Sequence, residues 1–296
     1  MPALPRHFLT GAELSSEELD ALLARGLELK RGRDAGAGEG VLAGRSLALL
    51  FERPSTRTRI SFQVAIAELG GNPVALRADE LQLGRGESIG DTARVLSRYL
   101  HGIVIRSGSD DTVSALADAA TIPVVNGLTP RHHPCQALAD LLTLRERFGS
   151  VEGLKLAYVG DGNNVARSLA ILGRLAGVEV AVASPDGYQL EPGLAAVEVT
   201  DPREAVAGAD AVYTDVWVSM GDEAEAERRR RDLEPYRVDA ELLAAAGKGA
   251  IALHCLPAHP GDEISQDVLY GERSAVWDQA ENRLHAQKAL LERLLG

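Results

Sequence analysis

Hydrophobic positions along the chain form two patterns, short continuous apolar runs and longer stretches in which apolar residues recur every three or four positions. The runs are typical of buried strands, and the longer stretches are typical of amphipathic helices. Strands are predicted at 46–51, 102–107, 122–127, 154–162, 178–184, 210–215 and 249–255, with helices at 136–147, 163–175 and 202–208 among them. Because alternating strands and helices form parallel sheets covered on both faces, the predicted fold class is α/β.

Two domains are expected from the length of 296 residues, since one domain commonly contains about 100–200 residues. The boundary is predicted at the end of the long helix 136–148, where the loop sequence FGSVEG begins. We predict domains at 1–148 and 149–278, each a doubly wound parallel sheet, joined by interdomain helices. A final amphipathic helix is predicted at 279–295.

Composition, net charge and cysteine count limit the class of protein and the partners that we expect for this chain. The hydrophobic share of 45% and the charged share of 25% are ordinary for a globular chain with a real core. The net charge of −12 argues against nucleic acid or anionic membrane as a partner. The two cysteines, Cys135 and Cys255, do not form a disulfide framework, which favours a reducing cytoplasm. No signal peptide and no apolar run of about 18 residues is present, so we expect a soluble cytoplasmic protein.

Polar residues gather directly after most of the predicted strands. In parallel sheets, ligands bind outside the carboxyl ends of the strands. A ligand site is therefore predicted from clusters at 55–59, Arg106, 133–136, 161–164, 215–221 and 254–257.

The first cluster has the chemistry of an anion site. Ser55, Thr56, Arg57 and Thr58 would occupy the first turn of a helix, where free N–H groups and the helix dipole favour an anion. Hydroxyls and a guanidinium add further partners for phosphate oxygens. The segment is not the Gly-rich Lys-Ser/Thr loop of nucleotide hydrolases. Taken alone, the segment slightly favours the anion site, and a capped helix start with exposed arginines stays open.

The next two clusters carry a fixed charge, an imidazole and an amide. Arg106 ends a strand and would direct its guanidinium into the crevice. His133 could be a neutral donor to a carbonyl oxygen, Pro134 suits an early helix position, and Gln136 could bind an amide. A solvated strand end and a capped helix start remain open as plainer interpretations.

The segment VGDGNN invites a dinucleotide-binding interpretation that its spacing then opposes. Gly160 and Gly162 fit the glycine pattern, but Val165 stands where the third glycine would fall, and Ser184 ends the next strand where an acidic residue is usual. The asparagines at 163–164 are better suited to a carboxylate at a helix N-terminus.

The last two clusters are DVWVSMG and HCLP. The charged stretch after DVWVSMG is interpreted as a solvated helix or a mobile flap. Pro257 should force Leu256 towards extended geometry and turn the Cys255 thiol into the crevice. The His254–Cys255 pairing leaves nucleophilic catalysis or a metal site open, although neither cysteine has the spaced companion of a metal site.

Together, FERPSTRTR, HPCQ, DVWVSMG and HCLP resemble, in this order and spacing, the ornithine carbamoyltransferases. The resemblance covers essentially the whole chain, to ENRLHAQKALL at the end. The Ser-Thr-Arg-Thr element is similar to that of aspartate carbamoyltransferases as well, whereas DVWVSMG and HCLP look like the ornithine branch.

The resemblance implies transfer of the carbamoyl group of carbamoyl phosphate to the δ-amine of L-ornithine, in a homotrimer of arginine metabolism without cofactor or metal. It also implies that a helix at 279–296 packs back on the first domain. The implied carbamoyl-phosphate residues are Ser55, Thr56, Arg57, Thr58, Gln82, Arg106, His133, Pro134 and Gln136. The implied ornithine residues are Asn164, Asp215, Ser219 and Met220, and those at the carbamoyl group are Cys255, Leu256 and Arg283.

Among these, the residues expected to be catalytic are Arg57, Arg106, His133, Asp215 and Cys255, with Cys255 near the amine rather than as a nucleophile. One departure stands out in LGRGES, where the family often has a lysine and this chain has Gly86 beside Arg85. Three alternatives stay open from sequence: a carbamoyltransferase for another amine, a nicotinamide dehydrogenase, and a non-catalytic binding relative.

Overall fold

The computed structural model describes residues 7–77, 86–218 and 223–296. The chain forms two compact units, Met1–Leu142 with Asn282–Gly296 (unit 1) and Thr143–Glu281 (unit 2). The helices of unit 1 are α1 Ser16–Arg31, α2 Thr56–Glu68, α3 Ile89–Tyr99 and α4 Asp110–Ala119. Helix α5, Pro134–Phe148, begins in unit 1 and continues into unit 2.

Unit 1 is built on a four-stranded parallel sheet. Its strands are β1 Ser46–Phe51, β2 Asn72–Arg77, β3 Gly102–Arg106 and β4 Val124–Leu128, in the order β2-β1-β3-β4. The central strand β1 is the continuous apolar run SLALLF, and its residues 47–50 are at most 1% exposed. The sequence of a strand that is buried on both faces is apolar throughout and does not alternate with polar residues, and β1 fits this prediction.

Unit 2 contains a five-stranded parallel sheet of order β7-β6-β5-β8-β9. The strands are β5 Lys155–Val159, β6 Glu179–Ala183, β7 Val197–Val199, β8 Ala211–Thr214 and β9 Ile251–His254. The order reverses between β5 and β8, which makes the carboxyl ends of these two strands the switch point of the sheet.

The remaining helices of unit 2 are short, except the first. They are α6 Asn164–Leu175, α7 Pro202–Val206, α8 Ala226–Leu233, α9 Ala240–Ala245 and α10 Gln266–Leu269. Helix α11, Val276–Leu295, begins in unit 2 and ends in unit 1. The predicted α/β class with two parallel sheets is confirmed. Within the described residues, no helix combines the length and apolar character needed to cross a membrane.

Side-chain caps begin the helices that follow three of the strands. Ser55 accepts the Thr58 N–H after β1, Ser109 accepts the Thr112 N–H after β3, and Asn163 accepts the Val165 and Ala166 N–H groups after β5. Such caps satisfy N–H groups that a helix start leaves unpaired. The helix N-termini therefore lie at the carboxyl ends of the two sheets, where the polar clusters were predicted.

Candidate active site

Four of the predicted polar residues of the phosphate side are buried in unit 1. Thr58 is 1% exposed, Arg106 7%, His133 4% and Gln136 0%. They come from the first turn of α2, the end of β3, the residue before α5 and the first turn of α5. The sequence clusters after β1, β3 and β4 thus supply one set of buried polar side chains.

Arg283 on α11 contacts three members of this set. Its Nη1 donates to Gln136 Oε1 at 2.7 Å and its Nη2 to Thr58 Oγ1 at 2.9 Å. His133 Nε2 lies 3.5 Å from the same Nη1. Since a guanidinium can only donate, these contacts use acceptor positions of its neighbours and leave the Thr58 hydroxyl hydrogen available as a donor.

The environment of His133 keeps its imidazole neutral. Burial, followed by the positive charges of Arg283, Arg106 and Arg57, holds the pKa of His133 well below its usual range. Burial and like charge both disfavour the imidazolium. A neutral ring is the form that can donate a hydrogen bond without adding positive charge.

The depressed pKa predicts how stability depends on pH. Below about pH 6.5 the unfolded chain protonates this histidine while the folded chain does not, so folding should lose stability as the pH falls through that window. We expect His133→Gln to reduce this loss by up to about 2 kcal/mol at about pH 5. Urea unfolding of both proteins at about pH 5 and 7.5 measures it, and equal pH dependence would contradict a neutral His133.

The first turn of α2 presents a solvent-facing side of the same cluster. Ser55 is half-buried and caps the helix, whereas Thr56 and Arg57 are exposed. Arg57 is nevertheless close enough to depress the pKa of His133. Arg59, two positions further, is exposed as well.

The amide of Gln136 is engaged at both ends. Its oxygen accepts from Arg283, and its Nε2 donates to Asp140 Oδ1 at 2.8 Å. Pro134 is the first residue of α5, as the helix-start pattern predicted. Gln136 therefore holds Arg283 within unit 1.

Asp215 is the centre of the candidate site in unit 2. It follows β8, is 7% exposed, and accepts the Asn163 amide N–H through Oδ2 at 2.8 Å. Its Oδ1 accepts the Val216 N–H at 2.8 Å and the Cys255 thiol at 2.9 Å. Asn164, the next residue after Asn163, begins α6 and is half-buried. The switch point of the sheet thus carries a carboxylate in a fixed orientation.

Tyr158 supports this arrangement from β5. Its hydroxyl donates to Asn163 Oδ1 at 3.2 Å. Burial, followed by the negative charge of Asp215, raises the pKa of Tyr158 well above its usual value. The phenol therefore stays protonated and remains a donor to Asn163.

The HCLP segment departs from the predicted geometry. Leu256 has a φ of 60°, in the left-handed region, so the expectation of an extended conformation is wrong. The Leu256 N–H donates to His254 Nδ1 at 2.8 Å, and His254 Nε2 lies 3.0 Å from Glu263 Oε1. These hydrogen bonds hold a turn that the local preference before proline does not favour.

Three side chains in unit 2 could form a small metal site. The ligand atoms of Asp215, His254 and Cys255 lie within 4.8 Å of one another. Both ring nitrogens of His254 are engaged, with the Leu256 N–H and with Glu263. Because a histidine ligand must offer a free nitrogen, the group fits a hydrogen-bond network better than a cation.

The two cysteines lie in different environments, and both are free thiols. Cys135 is 1% exposed, and burial raises its pKa to about 12. Its Sγ donates to the Asn126 carbonyl at 3.3 Å. Cys135 therefore stays a protonated core residue, and Cys255 is the thiol placed beside Asp215.

One residue of unit 2 was missed by the sequence interpretation. Arg229 lies in the charged stretch, but its side chain is only 14% exposed and donates to Asp161 at 2.7 Å and to the Trp217 carbonyl at 3.3 Å. Its guanidinium also lies over the Tyr188 ring, 5.4 Å from the centroid. Arg229 thus joins the segment after Asp215 to the loop before Asn163.

Several predicted residues cannot be placed against this geometry. Gln82, Arg85, Ser219 and Met220 lie outside the described residues. Gly86 is described, with a φ of 101° that side-chain-bearing residues rarely adopt. That backbone conformation favours the glycine found here over the lysine common in the family.

Comparison with known proteins adds an independent line of information. Residues 6–146 match the family described as "Aspartate/ornithine carbamoyltransferase, carbamoyl-P binding domain". Residues 152–294 match "Aspartate/ornithine carbamoyltransferase, Asp/Orn binding domain". An ornithine carbamoyltransferase of Acidothermus cellulolyticus is 55% identical over 303 residues, covering 98% of this chain and 96% of the relative.

Solved structures of ornithine carbamoyltransferases are similar to this chain in sequence and in fold. The ornithine carbamoyltransferase of Thermus thermophilus is 46% identical with a TM-score of 0.92, covering 99% of this chain and 100% of that one. The enzyme of Pyrococcus furiosus is 47% identical with a TM-score of 0.94, covering 98% and 97%. With family matches across both halves and relatives of about half identical sequence over nearly their full length, the chain belongs to the aspartate/ornithine carbamoyltransferase family.

Proposed function

We propose that this chain transfers the carbamoyl group of carbamoyl phosphate to the δ-amine of L-ornithine, giving L-citrulline and phosphate. The observation that carries the proposal is the buried cluster of unit 1, formed by Thr58, Arg106, His133, Gln136 and Arg283, in which the Arg283 guanidinium donates to Gln136 and Thr58. That cluster suits a small dianion joined to a carbonyl group. The acceptor assignment is supported by relatives named ornithine carbamoyltransferase that span nearly the whole chain.

In unit 1, phosphate is held by Arg57, Arg106 and the N-terminus of α2. Guanidinium groups pair bidentately with phosphate oxygens, and a helix N-terminus offers free N–H donors. Thr58, His133 and Arg106 donate to the carbonyl oxygen, where negative charge develops during acyl transfer. A neutral His133 suits this role because its ring N–H can donate without adding a positive charge to the site.

In unit 2, Asp215 pairs with the α-ammonium of ornithine, and Asn164 binds its α-carboxylate. The Asn163 and Cys255 donors hold the Asp215 carboxylate in place before substrate arrives. Anchoring both α-groups fixes which amine of ornithine reacts. Leu256 and Cys255 contact the carbamoyl group and the amine, and the thiol takes no covalent part.

The reaction is a direct acyl transfer. The δ-nitrogen attacks the carbonyl carbon, the bond from that carbon to the bridging oxygen breaks with its electron pair leaving on the phosphate, and the departing phosphate takes up the proton that the amine loses. The attacking amine must be neutral, yet a free δ-amine resembles lysine, with a pKa near ~10.4. Activity should therefore rise towards alkaline pH, and positioning of two small substrates supplies much of the rate.

A colorimetric citrulline assay tests the proposal. Carbamoyl phosphate is mixed with ornithine, putrescine or aspartate in parallel reactions. Of the three amines, only ornithine is expected to give a carbamoylated product. Faster product formation with putrescine or aspartate would show that the acceptor is that amine and not ornithine. No product with any amine would favour a binding relative, and NADH fluorescence enhancement on mixing would favour the dehydrogenase alternative.

We further place this activity in arginine synthesis in the cytoplasm, in a homotrimer. Two free thiols suit a reducing compartment. Helices α2 and α3 expose the large apolar residues Ile60 (53%), Val95 (47%) and Tyr99 (74%), which suits a surface covered by another copy.

The trimer gives a measurable mass. Three chains of 31.4 kDa make about 94 kDa, and light scattering after gel filtration should find that value. Tyr99→Glu, on the most exposed of these apolar side chains, should shift the mass towards the monomer by placing a charge on an apolar contact. Tyr270→Glu, at an exposed tyrosine of unit 2, is the matched control. A wild-type mass of about 31.4 kDa would refute the trimer.

A further inference from the structure

The turn that precedes His133 is held by a carboxylate from a different helix. That carboxylate is Asp110, the first residue of α4. We propose that Asp110 is a positioning residue for His133, acting through the turn at 129–132, a role that rests on the proposed carbamoyl transfer. It touches neither substrate in this scheme and is not itself catalytic.

Asp110 contacts three of the four residues of the turn. Its Oδ1 accepts the Thr129 hydroxyl at 2.6 Å and lies 3.2 Å from His132 Nδ1. Its Oδ2 accepts the Arg131 N–H at 3.2 Å. Both oxygens of one carboxylate therefore fix the turn at its side chains and at its backbone.

Thr129 is the buried point of attachment. It is 0% exposed, and its hydroxyl oxygen also lies within hydrogen-bond distance of the Asn126 amide at 3.3 Å and the His132 N–H at 3.2 Å. Since those two groups donate, the single hydroxyl hydrogen must go to an acceptor, and Asp110 Oδ1 at 2.6 Å lies nearer than the His132 carbonyl at 3.4 Å. The Thr129 N–H donates to the His132 carbonyl at 2.8 Å and closes the turn.

The turn and α5 fix the His133 backbone on both sides. On the C-terminal side, the His133 carbonyl accepts the Gln136 N–H at 3.0 Å and the Ala137 N–H at 3.3 Å. On the N-terminal side, His132 is bound by Asp110. A displacement of the turn would move the His133 ring relative to Arg283, 3.5 Å away. Displacements of about 1 Å in a catalytic constellation can cost about 10²-fold in rate.

The same helix turn provides a matched control. Asp111 follows Asp110 in the first turn of α4 and is exposed, and its carboxylate forms no hydrogen bond or ion pair with any residue that the structure describes. Both aspartates interact favourably with the helix dipole. A loss common to both alanine variants is therefore a helix effect, and a loss confined to Asp110→Ala comes from the turn.

The experiment compares Asp110→Ala, Asp110→Asn and Asp111→Ala under steady-state conditions. For Asp110→Ala we expect kcat/KM for carbamoyl phosphate to fall about 10- to 100-fold, with KM for ornithine within about threefold of wild type because Asp215 is untouched. Asp110→Asn keeps an oxygen that accepts from Thr129 and should restore activity to within about fivefold. Asp111→Ala should match wild type.

A second variant protects the test against simple misfolding. Thr129→Val removes the hydroxyl that donates to Asp110, and its effect should not add to that of Asp110→Ala if both act through one network. Additive losses would overturn the proposal, as would equal losses in Asp110→Ala and Asp111→Ala, or a uniform loss of activity matched by the folded fraction.

Failure of the proposed function would look different. In that case the wild-type protein itself forms no citrulline, and the ring signals of His133 in nitrogen-15 NMR still report on positioning. We expect Asp110→Ala to shift these signals and Asp111→Ala to leave them in place. Unchanged His133 signals in Asp110→Ala would overturn the positioning role independently of any activity.

Discussion

Arg57→Ala should lower kcat/KM for carbamoyl phosphate by between about 10² and 10³-fold, the range seen when one preorganised donor to developing charge is removed. Arg57 lies in the first turn of α2, exposed to arriving phosphate, and its charge already reaches His133. Removing it takes away a bidentate partner of the leaving phosphate as well as part of the local positive field. Steady-state citrulline formation with varied carbamoyl phosphate measures the loss.

Arg59→Ala is the control for that variant. Arg59 occupies the same helix, is exposed, and differs from Arg57 by two positions that turn it to another face. It should retain wild-type kinetics, and both variants should unfold at nearly the same temperature, since exposed arginines contribute little to stability. Near-normal turnover in Arg57→Ala would remove Arg57 from the phosphate site.

Asp215→Ala should raise KM for ornithine by about 10²-fold or more, while KM for carbamoyl phosphate stays within about threefold. A buried carboxylate that pairs with an ammonium is worth several kcal/mol when one partner is lost. Asp215 is 7% exposed and oriented by Asn163 and Cys255, so its removal takes away a carboxylate that was fixed before the ammonium arrived. An unchanged KM for ornithine would refute the pairing.

A truncated acceptor separates this pairing from general damage. The compound 5-aminopentanoate has the reacting amine and the carboxylate but lacks the α-ammonium. Wild-type enzyme should discriminate against it, and Asp215→Ala should lose most of that discrimination, since the group that Asp215 pairs with is absent from the analogue. Equal discrimination by both proteins would show that Asp215 acts on something other than the α-ammonium.

The apolar pattern predicted the central strands because a buried strand requires apolar residues at nearly every position. β1 is at most 1% exposed at 47–50, and a strand buried on both faces must be apolar throughout. The strands β2 and β7 were not predicted. β2 is an edge strand that contains Pro73, and β7 has only three residues, so neither carries a strong periodic signal.

The candidate site was predicted in its residue types but not in its contacts. Ser55, Arg106 and His133 lie at or after the carboxyl ends of strands, where the sequence predicted polar residues. Parallel strands bring these ends to one edge of the sheet. The contacts of Arg283 could not be predicted, because Gln136 and Thr58 are 147 and 225 residues away in sequence. Only the tertiary fold brings such positions together.

The role of Arg229 was hidden by its neighbours. It stands in a run of four arginines, and the run as a whole reads as solvated. The structure singles it out because its side chain is 14% exposed, whereas that of Arg228 is 56% exposed and that of Arg231 74%. Composition alone cannot distinguish these positions, since each has the same charge and length.

The return of α11 to unit 1 has a consequence for synthesis on the ribosome. Unit 1 includes Asn282–Gly296, and Arg283, Lys288 and Glu292 form hydrogen bonds to Thr58, Glu68 and Arg25. These partners are made long before residues 282–296 emerge, whereas all of unit 2 is already translated by then. Unit 1 therefore lacks residues 282–296 until unit 2 has been translated and cannot complete its fold before then. This reverses the usual order, in which N-terminal domains finish folding first.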